Sequence, residues 1–225
     1  MGKRFALYIK YILSSIIDAV YGEDENCHIC GEYAEESPIC SSCRKSIAAM
    51  NIEGRIEKDG FNIVYYSASY YADIIKEMVI RLKYKSDFEV GRVLAELIIK
   101  LIQNLNIQAD LITFVPSSKE NYSSRGFNQS EFLCKLVADE VNVTKASLLI
   151  KNLQTKDQIG LDANQRWDNL RGSFTVINKN KVINKKIIII DDVITTGATA
   201  HNCGSELIKC GAKEVIVLTV AKSTV

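Results

Sequence analysis

The sequence lacks the compositional extremes that mark disordered, fibrous or strongly polyanion-binding proteins. It has only two prolines in 225 residues, and neither an internal repeat nor a low-complexity tract. Lysine and arginine number 28 against 27 aspartates and glutamates, so the net charge is +1. Any nucleic-acid contact would therefore have to come from a local patch. With 47% hydrophobic residues, the chain is expected to form one large globular domain with at most a small appendage.

Long hydrophobic runs are also missing. Phe5–Tyr21 carries an apolar stripe at helical spacing, but its charge-free run, Tyr11–Ile17, is far shorter than the roughly 20 residues that cross a bilayer. Asp18 then interrupts it. We expect no transmembrane segment and an amphipathic helix that packs on the protein or on a partner. A membrane-surface helix and a targeting segment are the alternatives.

No disulfide framework is recognisable among the seven cysteines, of which Cys134, Cys203 and Cys210 are scattered. The other four form two C-x-x-C pairs: Cys27, Cys30, Cys40 and Cys43. Two such pairs can surround one Zn²⁺ with four thiolates, which predicts a structural site in a reducing compartment. A redox-active C-x-x-C and chance spacing are the alternatives. We expect an N-terminal helix and a four-cysteine zinc-binding module over residues 1–55, a main domain over 56–225, and a linker at Gly54–Gly60.

The main domain is organised around Ile187–Thr199, which reads IIIIDDVITTGAT. Four isoleucines without alternation are typical of a strand buried on both faces, as in a parallel sheet covered by helices. Asp191 and Asp192 follow, and their carboxylates can accept hydrogen bonds from vicinal sugar hydroxyls. A loop of small and hydroxylic residues then opens a helix, whose N-terminus favours an anion. The loop comprises Thr195, Thr196, Gly197, Ala198 and Thr199. The alternative is an ordinary turn, although paired acids beside a buried strand are costly without a function.

A second strand, Asp110–Val115, ends in a Pro/Ser loop with cations nearby. Ser117, Ser118 and backbone N–H groups of this loop can cradle an anion that Lys119 and Arg125 neutralise, which predicts a pyrophosphate site. A surface salt bridge is the alternative role for Arg125. Further strands are expected at Phe61–Tyr71, Leu148–Lys151 and Glu214–Val220, with helices at Asp73–Lys83 and Phe88–Leu105. This order predicts a parallel α/β sheet with right-handed crossovers.

Two other stretches are candidate functional segments. A basic cluster with one aromatic ends the first of these helices and contains Arg81, Lys83, Tyr84 and Lys85. It is either a solvated helix end whose cations suit the helix dipole or a contact for phosphates or DNA. The polar stretch Leu153–Phe174 is long for a connection inside a compact domain, which favours a lid that excludes water. Its candidate residues are Gln158, Arg166 and Asn169; a helix and turn without such a role is the alternative.

The motifs together resemble a known family. Ile187–Thr199 resembles the phosphoribosyl-pyrophosphate (PRPP) motif of type I phosphoribosyltransferases. From Cys27 onward, the ordered motifs resemble the ComF family of competence-associated phosphoribosyltransferase-like proteins. These motifs are the paired C-x-x-C, Leu82-Lys83-Tyr84, Val115-Pro116, Arg125-Gly126-Phe127-Asn128-Gln129, then Gln158, Leu161, Arg166, Asn169 and Phe174, and finally DDVITTGAT.

The resemblance implies a type I phosphoribosyltransferase domain, a parallel sheet flanked by helices, preceded by a zinc module. It also implies PRPP with Mg²⁺ as ligand, a cytoplasmic location, a role in natural transformation, and contact with single-stranded DNA or the DNA-uptake helicase. By this resemblance Thr195–Thr199 would bind the 5-phosphate of PRPP. Asp191 and Asp192 would be the catalytic acids that bind the ribose hydroxyls, and Lys119 and Arg125 would hold pyrophosphate.

Three functional classes are open at this point. The first is an active phosphoribosyltransferase, for which no obvious acceptor base appears in the sequence. The second is a catalytically silent PRPP-fold module that binds single-stranded DNA or a helicase, and the third is a PRPP-sensing regulator. Pyrophosphate release with a panel of acceptors separates the first from the others, and salt-dependent DNA binding separates the second.

Overall fold

The computed structural model describes residues 25–35, 37–152, 167, 170 and 172–224. They belong to two compact units, one ending at Ser46 and the other beginning at Ile47. The predicted N-terminal helix lies outside the described residues. Within the described ranges, no helix combines the length and apolar character needed to span a membrane.

The first unit contains the two C-x-x-C pairs. Its chain turns tightly after Cys27, whose carbonyl accepts a 2.8 Å hydrogen bond from the N–H of Gly31. Gly31 has a φ of +76°, which a glycine adopts without strain. The second pair opens helix α1, Ser41–Lys45, with Cys40 at its N-cap. The turn after Cys27 and the helix cap at Cys40 place each C-x-x-C pair in a short local loop.

Among its described residues, the second unit contains a five-stranded sheet and a separate two-stranded one. The strands are β1 Ile52–Lys58, β2 Phe61–Tyr70, β3 Leu111–Phe114, β4 Leu149–Lys151, β5 Phe174–Val176, β6 Lys186–Ile194 and β7 Glu214–Lys222. The large sheet has the order β1-β2-β7-β6-β3; β1 runs antiparallel to β2 and the other neighbours are parallel. Strands β4 and β5 form an antiparallel pair. The predicted parallel α/β sheet is confirmed, with one antiparallel edge strand added.

The described helices of this unit are α2 Asp73–Lys85, α3 Phe88–Asn104, α4 Lys119–Arg125, α5 Gln129–Glu140 and α6 Ala198–Lys209. Helix α3 has the broadest buried face, from Val90 to Ile102, and packs against α5 and α2. Helix α6 contacts β2, β5, β6 and β7. The helices therefore cover the sheet, as continuous apolar strands require.

Strand β6 lies in the interior of the sheet, between β3 and β7. Its isoleucines from Ile187 to Ile190 are no more than 2% exposed, which confirms the predicted buried strand. The strand continues to Ile194, so Asp191 and Asp192 lie within the strand and not after it; Asp191 pairs with Thr219 of β7. This pairing fixes both carboxylates on a rigid element.

The predicted linker at Gly54–Gly60 is wrong. Most of it belongs to β1, which forms a hairpin with β2 through a turn at Asp59 and Gly60, both at positive φ. The strand was missed because it is an exposed edge strand whose charged residues surround a single buried apolar side chain, Ile56. The expected boundary after residue 55 falls inside this strand.

Candidate functional site

A cavity of about 510 Å³ opens at the carboxyl ends of β3 and β6. In open α/β sheets, ligands bind at this edge because the loops that follow neighbouring strands converge there. Its lining includes both aspartates, the whole Thr/Gly loop and the start of the Pro/Ser loop: Asp191, Asp192, Thr195, Thr196, Gly197, Ala198, Thr199, Ser117, Ser118 and Arg125. The structure thus brings together most residues of the sugar, phosphate and pyrophosphate predictions.

The two aspartates have different partners. Asp191 Oδ1 accepts a 2.8 Å hydrogen bond from Ser130 Oγ and one of 2.9 Å from the N–H of Asp192. Asp192, 4% exposed, accepts a 2.7 Å hydrogen bond from the N–H of Val193 at Oδ1. Its Oδ2 lies 2.7 Å from the ammonium Nζ of Lys83. One acid is therefore held by a hydroxyl and the other by a cation.

This arrangement shifts the pKa values of three groups. Burial and the neighbouring Asp192 carboxylate raise the pKa of Asp191 to about 7, against the opposing effects of Ser130 and Lys83. Burial alone would lower the pKa of Lys83, but the charge of Asp192 outweighs it and the net pKa is raised. Burial also raises the pKa of Tyr71, another lining residue. Asp191 is thus poised between protonated and ionised near neutral pH, whereas Lys83 stays charged.

The Thr/Gly loop joins β6 to α6. Gly197 is the N-cap of α6 at a φ of +80°, and the N–H of Ala198 reaches Thr196 Oγ1 at 3.4 Å. The first N–H groups of any helix lack intrahelical acceptors, and the helix dipole adds partial positive charge at this end. Because the start of α6 lines the cavity, those groups and the loop hydroxyls can bind a phosphate.

The Pro/Ser loop supplies only part of the predicted pyrophosphate site. Ser117, Ser118 and Arg125 line the cavity, and Arg125 donates a 3.0 Å hydrogen bond to Gln129 Oε1. Lys119 is exposed and does not line the cavity. The reason is local: Ser118 caps α4 by accepting from the N–H of Asn121, so the helix begins at Lys119 and carries that side chain away.

The basic cluster at the end of α2 divides into two pairs. Lys83 and Tyr84 line the cavity, and the Tyr84 ring lies 5.2 Å from the guanidinium carbon of Arg125. Arg81 instead pairs with Glu77 and Asp87, and Lys85 with Glu77. Arg81 and Lys85 therefore behave as charged residues of a solvated helix end. Lys83 and Tyr84 are the members of the cluster that are placed to contact a phosphate in the cavity.

Sequence reasoning assigned no role to Ser130 and Asn128. Asn128 caps α5 through the N–H groups of Ser130 and Glu131, and donates a 3.0 Å hydrogen bond to the carbonyl of Val115 at the end of β3. The signal was present as Asn128 followed three residues later by Glu131, a helix-start pattern.

The predicted lid residues Gln158, Arg166 and Asn169 lie outside the described residues.

The four cysteines of the first unit form one cluster. Their sulfurs lie within 4.8 Å of one another, and the Sγ atoms of Cys30 and Cys40 are 3.7 Å apart. Four sulfurs at about 2.3 Å from a tetrahedral Zn²⁺ would be about 3.8 Å apart, so the donor set fits this metal. Burial opposes ionisation of Cys27, but backbone hydrogen bonds lower the pKa of its thiol to about 6. The cluster is compatible with a structural zinc site.

Comparisons with known proteins agree with the fold and the motifs. Residues 133–224 match the family model described as phosphoribosyl transferase domain. The chain is 25% identical to "Competence protein F" of Haemophilus influenzae over 82% of this chain and 90% of that protein. It is 26% identical to "Competence protein ComFC" of Streptococcus pneumoniae over 88% and 81%. It is 29% identical to "DNA utilization protein YhgH" of Salmonella typhimurium over 70% and 71%.

The sheet order, the acids at the end of β6 and the family match define a type I phosphoribosyltransferase fold. Together with the relatives, they confirm the resemblance noted in the sequence. The chain is similar to the ComF family of competence-associated phosphoribosyltransferase-like proteins.

Proposed function

We propose that this protein binds PRPP with Mg²⁺ and acts as a cytoplasmic phosphoribosyltransferase-like component of DNA uptake in natural transformation. The observation that supports this most directly is the shared cavity. Two carboxylates suited to ribose hydroxyls and an anion-binding helix start line the same 510 Å³ space. That volume falls within the usual range of small-ligand sites. The names of the three relatives support the link to competence and DNA use.

Each part of PRPP has a matching group in the proposed complex. The 5-phosphate would contact the Thr195–Thr199 loop and the start of α6. Asp191 and Asp192 would accept hydrogen bonds from the ribose 2- and 3-hydroxyls and stabilise positive charge that develops on the ring. Arg125 would neutralise the pyrophosphate, with Ser117 and Ser118 as donors. Carboxylate oxygens are ligands that Mg²⁺ accepts, and when bound the ion would neutralise pyrophosphate charge.

Calorimetric titration with PRPP and Mg²⁺ tests this proposal. Asp191→Asn and Asp192→Asn remove the charge that would hold the ribose hydroxyls, so each is expected to weaken PRPP binding at least about tenfold. Asp139→Asn is the matched control, because Asp139 is exposed on α5 and does not line the cavity. Circular dichroism checks that each variant is folded. Wild-type protein without measurable PRPP affinity, or full affinity in both variants, would reject the proposal.

A second candidate function is the silent module that binds single-stranded DNA. The described lining residues include no histidine and no carboxylate other than Asp191 and Asp192, so no separate acceptor base is present among them. The cavity lining also includes an exposed aromatic residue, because Tyr84 is 63% exposed, and Arg125 lies against its ring. Aromatic faces beside cations are typical of single-strand binding sites.

Fluorescence anisotropy with a labelled single-stranded oligonucleotide tests this candidate. Tyr84→Ala and Arg125→Ala are expected to weaken binding, and the wild-type affinity should fall as salt rises. Arg55→Ala on β1, whose side chain is exposed, controls for general loss of charge. DNA affinity that is the same in all four proteins would argue against this surface. Pyrophosphate release with any acceptor would establish turnover.

A further inference from the structure

Lys83 is the cation that contacts the acid pair in the cavity. It projects from the last turn of α2, with its side chain 20% exposed, and its Nζ lies 2.7 Å from Asp192 Oδ2. No other described N–H or O–H group donates a hydrogen bond to that buried oxygen. A buried carboxylate is costly unless its charge is offset, so this ion pair stabilises Asp192 inside the fold.

Arg125, another cation of the described lining, contacts different groups. It donates to Gln129 Oε1 and lies over the Tyr84 ring. Lys83, in contrast, is at contact distance from a carboxylate oxygen, so it offsets charge on the acid pair in the unliganded protein.

The Lys83 ammonium occupies the position that a second cation would take if it bound Asp192 Oδ2. A divalent ion that coordinated Asp192 Oδ2 would be repelled by the ammonium 2.7 Å from that oxygen and would compete with it for the carboxylate charge. A lysine on a flexible four-carbon stem can move, and a pyrophosphate in the same cavity would be a favourable new partner for it.

We propose that Lys83 is a resident counter-ion that prevents free divalent cations from binding at Asp192 in the unliganded protein. The inference concerns the unliganded protein alone and does not depend on the proposed function. It assigns to Lys83 a role that is distinct from a surface phosphate contact.

The test is a titration of zinc-loaded protein with Mn²⁺ alone, followed by electron paramagnetic resonance. Carboxylate sites that take Mg²⁺ also take Mn²⁺, whereas thiolate clusters prefer Zn²⁺. Lys83→Gln is expected to bind Mn²⁺ at least tenfold more tightly than the wild type. Lys85→Gln is the matched control, since Lys85 lies two residues further on, is 56% exposed and pairs with Glu77 outside the cavity.

Three results would overturn the inference. They are equal Mn²⁺ affinity in wild type and Lys83→Gln, a gain that persists in the double variant Lys83→Gln/Asp192→Asn, and a Lys83→Gln protein that stays unfolded at saturating Mn²⁺. If that variant folds only when Mn²⁺ is added, the metal has replaced the ammonium and the inference is supported. Absence of PRPP binding by the wild type would reject the proposed function and leave the Mn²⁺ result standing.

Discussion

Ser130 Oγ donates a 2.8 Å hydrogen bond to Asp191 Oδ1 across 61 residues of sequence. Ser130 is 1% exposed and lies in the first turn of α5, where the Asn128 cap fixes its position. Asp191 is on β6. The bond therefore links α5 to β6, the strand that carries both acids.

Ser130→Ala should destabilise the protein by about 1–3 kcal/mol, because it removes a donor from the partly buried Asp191 carboxylate. Urea unfolding measures this change. Ser124→Ala is the control, because the Ser124 hydroxyl is exposed and bonds to a nearby carbonyl, that of Asn121. We expect the control to change stability by less than about 0.5 kcal/mol. Equal effects would mean that the Ser130 bond contributes nothing specific.

The raised pKa of Asp191 makes stability depend on pH. The folded protein keeps a proton on Asp191 up to about pH 7, whereas the unfolded chain releases it near 3.8. Folding therefore takes up a proton between these values, and the unliganded protein should lose stability as pH rises from about 4 to 7. Above about pH 7 the stabilisation that comes from protonated Asp191 is lost.

Asp191→Asn should flatten this loss, since the amide does not titrate. Denaturant unfolding at several pH values between about 4 and 7 measures the slope for wild type and variant. Asp139→Asn, on the exposed side of α5, should keep the wild-type slope. A wild-type stability that rises over this range, or an unchanged slope in Asp191→Asn, would show that Asp191 is ionised throughout.

Local patterns were enough to predict much of the fold. Unbroken apolar runs identified β6 and β7, and the small residues after the acids identified the loop that opens α6. The edge strand β1 was missed because one buried residue, Ile56, leaves no alternating apolar pattern. An alternating apolar pattern identifies a strand only where one of its faces is buried, and an exposed edge strand buries few side chains.

The candidate site was only partly predictable. The sequence could predict that Thr195–Thr199 lie beside the acids, because this loop follows them directly and lines the same cavity. The partners of the acids, Lys83 and Ser130, come from helices distant in sequence, and only the tertiary packing brings them to Asp191 and Asp192. Lys119 was predicted to hold pyrophosphate but does not line the cavity, because helix α4 begins with it after the Ser118 cap.

Purified protein should contain about one zinc per chain, as measured by elemental analysis. Cys27→Ser and Cys43→Ser should lose it, because each removes one of four clustered sulfurs. Cys210→Ser should retain it, since Cys210 lies at the end of α6 in the second unit. Metal binding and folding are coupled in small cysteine modules, so chelation should also expose residues 25–46 to protease. A metal-free protein with unchanged protease resistance would contradict the prediction.

Gly197→Ala should destabilise the loop that precedes α6 for two separable reasons. An added Cβ would lie 2.7 Å from Ile56 Cδ1, and the φ of +80° disfavours any L side chain. Gly60→Ala isolates the second reason, because Gly60 has a φ of +79° and nothing within 4 Å of an added Cβ.

We expect Gly60→Ala to lower the free energy of unfolding by about 1 kcal/mol through backbone strain, and Gly197→Ala to lower it by more. A double-mutant cycle with Ile56→Ala, measured by urea unfolding, should recover part of the difference, since that change removes the clashing methyl. Equal losses at the two glycines would show that the Ile56 contact yields freely and that the loop tolerates a side chain beside the proposed phosphate site.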